Sequence, residues 1–412
     1  MKRQNSICVL DIGSTKICCC IANISRDDTV EITGIGYCSC TGIVAGVIVE
    51  MNSVCKSIAT AIEMAESQAK TRVTSAYVSI SGKNVKSYIE QYKCHIGGRL
   101  INKYDIVNML QQTNVKLSND VVLHKIPVIF NIDGLGNIKS PLGMIATDLS
   151  AQVCVITASK TQVDNLFVCL SKCHLDIKGI IEAHYASGLA LIDENAENES
   201  LNLIEVGGST TAVSFWYNGA FCGMKIIPIG GGHITDELTK ELGISYADAE
   251  RLKVLYGAAI PTTYENDGGI LTAVIDDDDS IQMRQISKSS VNQIVQLCIE
   301  KLVDIIKMEI DNSKFKDFSK GTIITGGGSQ FPGLADVLAL KMQKSIIRKS
   351  LCDIKQPDGS NFTPNYATVV GLLKYVQQLR KDEEDDKKSG RNWFDFEKIL
   401  YYLSKTINRF KG

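Results

Sequence analysis

The sequence predicts a mixed α/β protein built from two related halves. Strand-like and helix-like runs alternate along most of the chain instead of segregating, which is the pattern of strands packed with helices. One short pattern, an apolar strand, an acidic residue, a Gly/Ser/Thr turn and a second apolar strand, occurs once in each half. The chain has 412 residues, 44% hydrophobic and 22% charged, enough for two or three domains with their own cores.

Taken in order, residues 7–10 and 17–24 are β-rich runs flanking a Gly-Ser-Thr turn. Residues 54–70 have helical spacing, with Val54, Ile58, Ala61, Ile62 and Ala65 on one side. Residues 76–81 alternate as a strand. Residues 83–158 differ from their surroundings: short alternating runs such as 125–132 and 151–156 surround one helix near 103–114, the signature of an inserted subdomain. Helical spacing returns at 162–173 and 183–191. A second β-rich unit begins at Leu201, followed by helices at 234–242 and 246–256 and a long amphipathic one at 291–310, with Ile294, Leu297, Lys301, Leu302 and Ile305 along it. Residues 321–328 read as a strand running into a glycine turn. Residues 381–392 (KDEEDDKKSGRN) are charged and lack apolar anchors, so a flexible linker is expected there.

Composition removes several function classes. The formal charge is −2, and no basic stripe with interleaved aromatics precedes the last twenty residues, so nucleic acid is not an expected partner. Fourteen cysteines suggest a disulfide framework until their surroundings are read. Cys18, Cys19 and Cys20 are consecutive in an apolar run, Cys169 and Cys173 stand one helical turn apart, and no pair has CxxC spacing. Reduced thiols acting as small core hydrophobes are expected, without a bound transition metal. Lys2 and Arg3 precede an apolar stretch of only residues 7–10 before Asp11, too short for a signal peptide, and no apolar run approaches the ~20 residues that span a bilayer. A cytosolic protein touching membranes only at their surface is expected.

The repeated pattern is Leu10-Asp11-Ile12-Gly13-Ser14-Thr15-Lys16-Ile17, matched by Ile204-Glu205-Val206-Gly207-Gly208-Ser209-Thr210-Thr211. Two such hairpins can grip a phosphate chain: glycine lets the backbone approach, amides point at anionic oxygens, and hydroxyls add donors. Asp11 and Glu205 would then serve a magnesium ion, directly or through its water. A third element, Thr322-Ile323-Ile324-Thr325-Gly326-Gly327-Gly328-Ser329, is an apolar strand ending in three glycines, a flat backbone surface on which a purine can lie. No Walker A motif occurs, and no complete G-x-G-x-x-G follows a strand.

Together the three turns resemble the nucleotide signature of the actin-like ATPase superfamily. Within it the chain resembles the FtsA family of bacterial cell-division proteins over almost its whole length. The matching segments are residues 10–16, 78–84 (VSISGKN), 124–143 (HKIPVIFNIDGLGNIKSPLG), 204–211, 227–233 (IPIGGGH), 248–253 (DAERLK), 323–334 and 367–375 (ATVVGLLKY). The resemblance implies an actin-like ATPase fold, two duplicated lobes around a nucleotide cleft, with an inserted 1C subdomain and a C-terminal amphipathic helix. The implied divisions are 1A over 1–84 and 161–195, the SHS2-like 1C insert over 85–160, 2A over 196–233 and 319–380 (with a helix returning to 1A), 2B over 234–318, a linker over 381–392 and a membrane helix over 393–412.

Carried over residue by residue, Gly13, Ser14, Thr15 and Lys16 form the first phosphate loop, and Gly207, Gly208, Ser209 and Thr210 the second. Gly326, Gly327, Gly328 and Ser329 line the adenosine pocket. Glu250 and Lys253, on one helix face at i, i+3, approach ribose and base; by spacing alone they read as a solvated surface ion pair. The implied cofactors are ATP and Mg. The implied partners are the C-terminal tail of FtsZ on 2B, further copies of the chain in a filament, later division proteins through 1C, and lipid, on the cytoplasmic side of the bacterial inner membrane. Three positions depart from the family pattern: Glu205 replaces Asp, Ser209 replaces Gly and Ala212 replaces Asp. No catalytic residue is assigned, and ATP binding with slow or undetectable hydrolysis is expected. Two rival expectations are a superfamily phosphotransferase of the sugar- or acetate-kinase type and a PilM-like assembly adaptor.

At the end of the chain, Trp393, Phe396, Leu400, Leu403, Ile407 and Phe410 alternate steps of three and four and so share one helical stripe. Lys398, Lys405, Arg409 and Lys411 supply a basic side. A helix over residues 393–410 is about 27 Å long, too charged to span a bilayer and suited to its interface. FtsA proteins end in such a helix. Ile399 and Tyr402 widen the stripe; half-burying these eight side chains gains about 8 kcal/mol gross, and ordering the tail cancels much of it. One tail should therefore bind reversibly, and several on a polymer firmly.

Overall fold

The computed structural model describes residues 6–25, 27–112, 119–193, 200–261, 269–275, 281–316, 319–351 and 354–388. The chain forms two compact units: Met1–Asn198 with Trp216–Met224 and Leu351–Gly412, and Glu199–Phe215 with Lys225–Ser350.

In the first unit, β1 (Ser6–Ile12) folds back through residues 13–15 into β2 (Lys16–Ile24), which pairs with β3 (Val30–Ser39). A short hairpin, β4 (Ile43–Val44) and β5 (Val47–Ile48), leads to α1 (Met51–Ala69) and β6 (Ser75–Ile80). The insert comprises β7 (Val85–Leu100), α2 (Lys103–Gln111), β8 (Asp120–Ile132), β9 (Leu135–Ile138) and β10 (Ile145–Ser159). Then come α3 (Lys160–Lys172), β11 (Asp176–Glu182) and α4 (Ala183–Leu191). The main sheet has the order β11-β6-β1-β2-β3, with β1, β6 and β11 parallel and the first hairpin antiparallel at one side.

The helical face expected on α1 is the one observed: Val54, Ile58, Ala61, Ile62 and Ala65 are all buried. Glycines bring this helix down onto β3. A Cβ on Gly36 would lie 2.1 Å from the Ala61 carbonyl oxygen, and one on Gly34 2.2 Å from that of Ala65. Helices touch β2 from both α1 and the return helix at residues 367–388, which explains why Cys18, Cys19 and Cys20 are all buried despite alternating sides. The insert makes its own antiparallel sheet, β7-β10-β8-β9. Its core is built from Tyr92, Met109, Phe130, Leu149 and Val153.

From Ser200 onward, β12 (Ser200–Val206), β13 (Thr211–Tyr217) and β14 (Ala220–Ile227) precede α5 (Gly231–Leu242) and α6 (Tyr246–Tyr256). A two-stranded ribbon, β15 (Ile270–Ile275) and β16 (Ile281–Ile286), precedes α7 (Lys288–Asp311). Then follow β17 (Gly321–Thr325), α8 (Leu334–Met342) and β18 (Ile346–Ile347). The sheet order is β14-β13-β12-β17-β18, with β12, β17 and β18 parallel.

Two expectations need correction. The buried face of α7 is Val291, Val295, Ile299, Leu302, Val303, Ile306 and Ile310, whereas Leu297 is 52% exposed and Lys301 is exposed. The helix carries apolar residues on more than one side, so spacing identified the element without selecting its inner face. The last helix, α9 (Ala367–Lys388), also continues through residues 381–388, where a flexible linker was expected. Its front part is anchored by buried Val369, Val370, Leu372 and Leu373. Once nucleated, a helix propagates cheaply through Lys, Glu and Asp, which contain no Gly or Pro before Gly390. Among the described residues, no helix is long and apolar enough to cross a membrane. The stripe from Trp393 to Phe410 lies outside the described residues.

Candidate functional site

The first hairpin closes on itself through one backbone bond: the Gly13 amide donates to the Lys16 carbonyl at 3.0 Å. A Cβ on Gly13 would stand 2.8 Å from that same oxygen, so the closure requires glycine. The Thr15 carbonyl is taken by the Cys40 amide at 2.9 Å. Below the turn, the Ser79 hydroxyl accepts from the Ile12 amide at 2.9 Å and donates to Asp11 Oδ1 at 2.7 Å. Burial pushes the Asp11 carboxyl above its usual range, against the lowering effects of Ser79, Lys16 and His184. Lys16 turns its ammonium toward the Asn365 carbonyl (3.0 Å) and over the Tyr366 ring (3.6 Å to the centroid), and burial lowers its pKa.

Near Asp11 electrostatically lies a buried polar cluster that sequence reading missed. Glu182, fully buried at the start of α4, accepts from His184 Nδ1 and from the Tyr185 amide, each at 2.7 Å. The Glu182 amide donates to His124 Nε2 at 3.0 Å, which places the His124 proton on Nδ1. Burial pushes the His124 imidazole down to about 3. Lone histidines far apart in sequence gave no sign of this convergence.

The second hairpin repeats the closure of the first, the Gly207 amide donating to the Thr210 carbonyl at 2.9 Å. The Gly207 and Gly208 carbonyls accept from the Gly231 and Gly232 amides at 2.9 and 2.7 Å, and the Thr211 hydroxyl donates to the Ile229 carbonyl at 2.7 Å. The oxygens most repulsive to a phosphate are thus occupied by the first turn of α5. A Cβ on Gly230 would stand 2.6 Å from the Gly207 oxygen. Gly230, Gly231 and Gly232 therefore back the loop, a role readable only as three adjacent glycines in sequence.

Lys253 is not the solvated partner that spacing suggests. It is only 7% exposed and its ammonium donates to Glu250 Oε2 (2.5 Å), Thr235 Oγ1 (2.8 Å) and the Gly231 carbonyl (3.1 Å). The Thr235 hydroxyl reaches the same Glu250 oxygen at 2.6 Å. The pair ties α6 to the first turn of α5, directly behind the second hairpin, while the Glu250 side chain stays 44% exposed.

The third turn rests on the same strand. Gly326 adopts φ +84°, and its missing Cβ would stand 2.5 Å from the Val206 carbonyl oxygen; a Cβ on Gly328 would stand 2.3 Å from the Val206 side chain. The buried Ser329 donates its hydroxyl to the Gly326 carbonyl at 2.7 Å. The Ala259 amide donates to the Pro332 carbonyl at 2.8 Å, which joins the end of α6 to this turn. In the second unit the fold therefore gathers residues 207–210, Glu250, Lys253 and residues 326–329 around the end of β12, where Glu205 pairs in register with Thr325. Asp11 and residues 13–16 belong to the first unit.

Comparison with known proteins agrees with this architecture. The family model described as cell division protein FtsA matches residues 202–371, and that of the SHS2 domain inserted in FtsA matches residues 82–157. The cell division protein FtsA of Agrobacterium fabrum (strain C58) is 30% identical over 390 residues, covering 91% of this chain and 88% of that protein. Its counterpart in Rhizobium meliloti (strain 1021) is 29% identical over 389 residues, with the same coverage of both chains. The Escherichia coli (strain K12) protein is 25% identical over 399 residues, covering 92% of each. Among solved structures, the PilM-PilN type IV pilus biogenesis complex aligns with a TM-score of 0.64 at 12% identity, over 89% of this chain and 97% of that one. MreB 5 of Spiroplasma citri bound to AMPPNP aligns with a TM-score of 0.56 at 13% identity, over 93% and 99%. The fold is that of the actin-like ATPases, and the SHS2 insert and full-length sequence likeness assign the chain to the FtsA family of cell division proteins.

Proposed function

We propose that the chain is an ATP-binding, polymer-forming adaptor of the division septum that holds FtsZ filaments to the cytoplasmic face of the plasma membrane and recruits later division proteins. The observation that carries the nucleotide part is the pair of Gly/Ser/Thr hairpins closed by the same backbone bond, Gly13 to Lys16 and Gly207 to Thr210. Closed turns of this kind, with their carbonyls occupied and glycine at the pivot, offer amides and hydroxyls to phosphate oxygens. Residues 326–329 would accept the adenosine, with Glu250 and Lys253 of α6 approaching the ribose and base.

Asp11 fits a magnesium site. Its carboxyl is disfavoured as an anion where it is buried, and a nearby dication would restore the charged form. Asp11 and Glu205 would hold the ion, which when bound supplies charge neutralisation to the phosphates. Ala212, buried and without a carboxylate, stands where the family pattern has an acid. The chain therefore binds nucleotide and turns it over slowly, using it to bias conformation and polymer state.

Membrane binding is assigned to the stripe Trp393, Phe396, Leu400, Leu403, Ile407 and Phe410, and FtsZ-tail docking to the 2B region around α5–α7. Co-sedimentation with anionic liposomes and the FtsZ tail peptide tests both. The full chain should carry peptide into the pellet, and a chain ending at residue 392 should leave both in solution. Equal pelleting by the two chains would sink the membrane assignment; liposome binding without peptide would sink the adaptor role.

A further inference from the structure

Cys55 of α1 and Cys169 of α3 bring their sulfurs within 3.1 Å of each other. A third thiol joins them: Cys173, just past α3, lies 3.4 Å from the Cys55 carbonyl oxygen and shares a hydrogen bond with Cys169. Cys169 is buried, whereas Cys55 and Cys173 are partly exposed, so a small oxidant from solvent can reach the cluster. The Cys8–Cys19 pair makes a contrast. Its sulfurs are 3.5 Å apart, yet both residues lie inside the main sheet at 3% and 0% exposure.

We propose that Cys55, Cys169 and Cys173 form a redox-modification site at which a hydroperoxide closes a reversible disulfide between Cys55 and Cys169, tying α1 to α3. A disulfide sulfur separation is about 2.05 Å, so the bond asks the facing sulfurs for about 1 Å of approach. Cys173 is the thiol that reacts first. The hydrogen bond from Cys169 lowers its pKa to about 7, and the thiolate is the nucleophile.

The chemistry balances with the hydroperoxide as the only oxidant. The Cys173 thiolate attacks the peroxide: an S–O bond forms, the O–O bond breaks, and the alkoxide leaves with the electron pair and takes a proton from water. The Cys169 sulfur then attacks the sulfenyl sulfur, forming S–S and breaking S–O, and water departs with the Cys169 proton. Cys55 gives its proton to the hydroxide left when water protonated the alkoxide; its thiolate attacks the Cys169 sulfur, and Cys173 leaves as a thiolate, the better leaving group because its pKa is low. Two thiols lose two electrons, and the hydroperoxide becomes an alcohol and water.

The test is hydrogen peroxide treatment of the full-length reduced protein, followed by digestion without reductant and mass spectrometry. The expected product is a peptide pair joined through Cys55 and Cys169 that dithiothreitol separates. Cys173→Ser should yield the same pair several-fold more slowly near neutral pH, because the thiol whose pKa the Cys169 hydrogen bond lowers is gone. Cys55→Ser should instead accumulate the Cys169–Cys173 disulfide. Irreversible sulfinic or sulfonic acid at Cys173 with no cross-link, or a Cys8–Cys19 cross-link forming first in the unmodified protein, would overturn the proposal.

Discussion

His124 accepts the Glu182 amide in a fully protein-lined setting, and burial pushes its imidazole from 6.5 down to about 3. Between those values the unfolded chain binds a proton that the folded chain does not. The stabilising contribution is therefore complete above about pH 6.5 and is lost as pH falls toward 3, at up to about 1.4 kcal/mol per pH unit. His124→Gln, which keeps an acceptor, should show a shallower loss of stability over that window in urea titrations at stepped pH; an unchanged slope would place the acid sensitivity elsewhere. Lys253 illustrates a different dependence, since its ammonium serves three acceptors from α5 and α6. Lys253→Met removes the charged donor from this cluster, leaving only the Thr235 hydroxyl to serve the Glu250 carboxylate and the Gly231 carbonyl, and should cost about 1–3 kcal/mol, read as a lower denaturation midpoint at unchanged slope. Neither role was legible in the sequence: i, i+3 spacing pairs Lys253 with Glu250 but carries no information about the Gly231 carbonyl that meets it from another helix.

At the scale of elements, periodicity and turn chemistry specified most of what formed. The α1 stripe, the α5–α6 pair and both hairpins follow from contiguous residues, because each depends on local spacing or on glycine at a pivot. What escaped was how elements approach. The seats for α1 at Gly34 and Gly36 depend on the helix lying on β3, and the inner face of α7 was decided by the surfaces it meets. Likewise, α9 extends past residue 380 because its front is anchored in the first unit, which composition within residues 381–392 does not reveal. Gly36→Ala places a methyl 2.1 Å from the Ala61 carbonyl oxygen and should destabilise by about 1–3 kcal/mol as α1 is forced outward. Thermal unfolding checks this, and a neutral effect would mean that α1 is free to shift.

For the whole molecule, the family, the SHS2 insert and the closed Gly/Ser/Thr turns were readable because each rests on a motif continuous in sequence. The support behind those turns, from Ser79, Gly230–Gly232 and Tyr366, was not, since folding brings it from distant positions. On the proposed function, a polymer multiplies weak tails by effective concentration, so liposome binding should rise steeply with protein concentration in the full chain and vanish in one ending at residue 392. The most direct measurement is calorimetric titration of the full chain, Gly13→Val and Gly207→Val with ATP and magnesium. The account predicts binding by the unmodified chain and weakening of about a hundredfold, about 2.7 kcal/mol, in each variant while the fold persists by circular dichroism. Undiminished affinity in both variants, or no heat of binding in the unmodified chain, would contradict the claim that these two hairpins hold the phosphates.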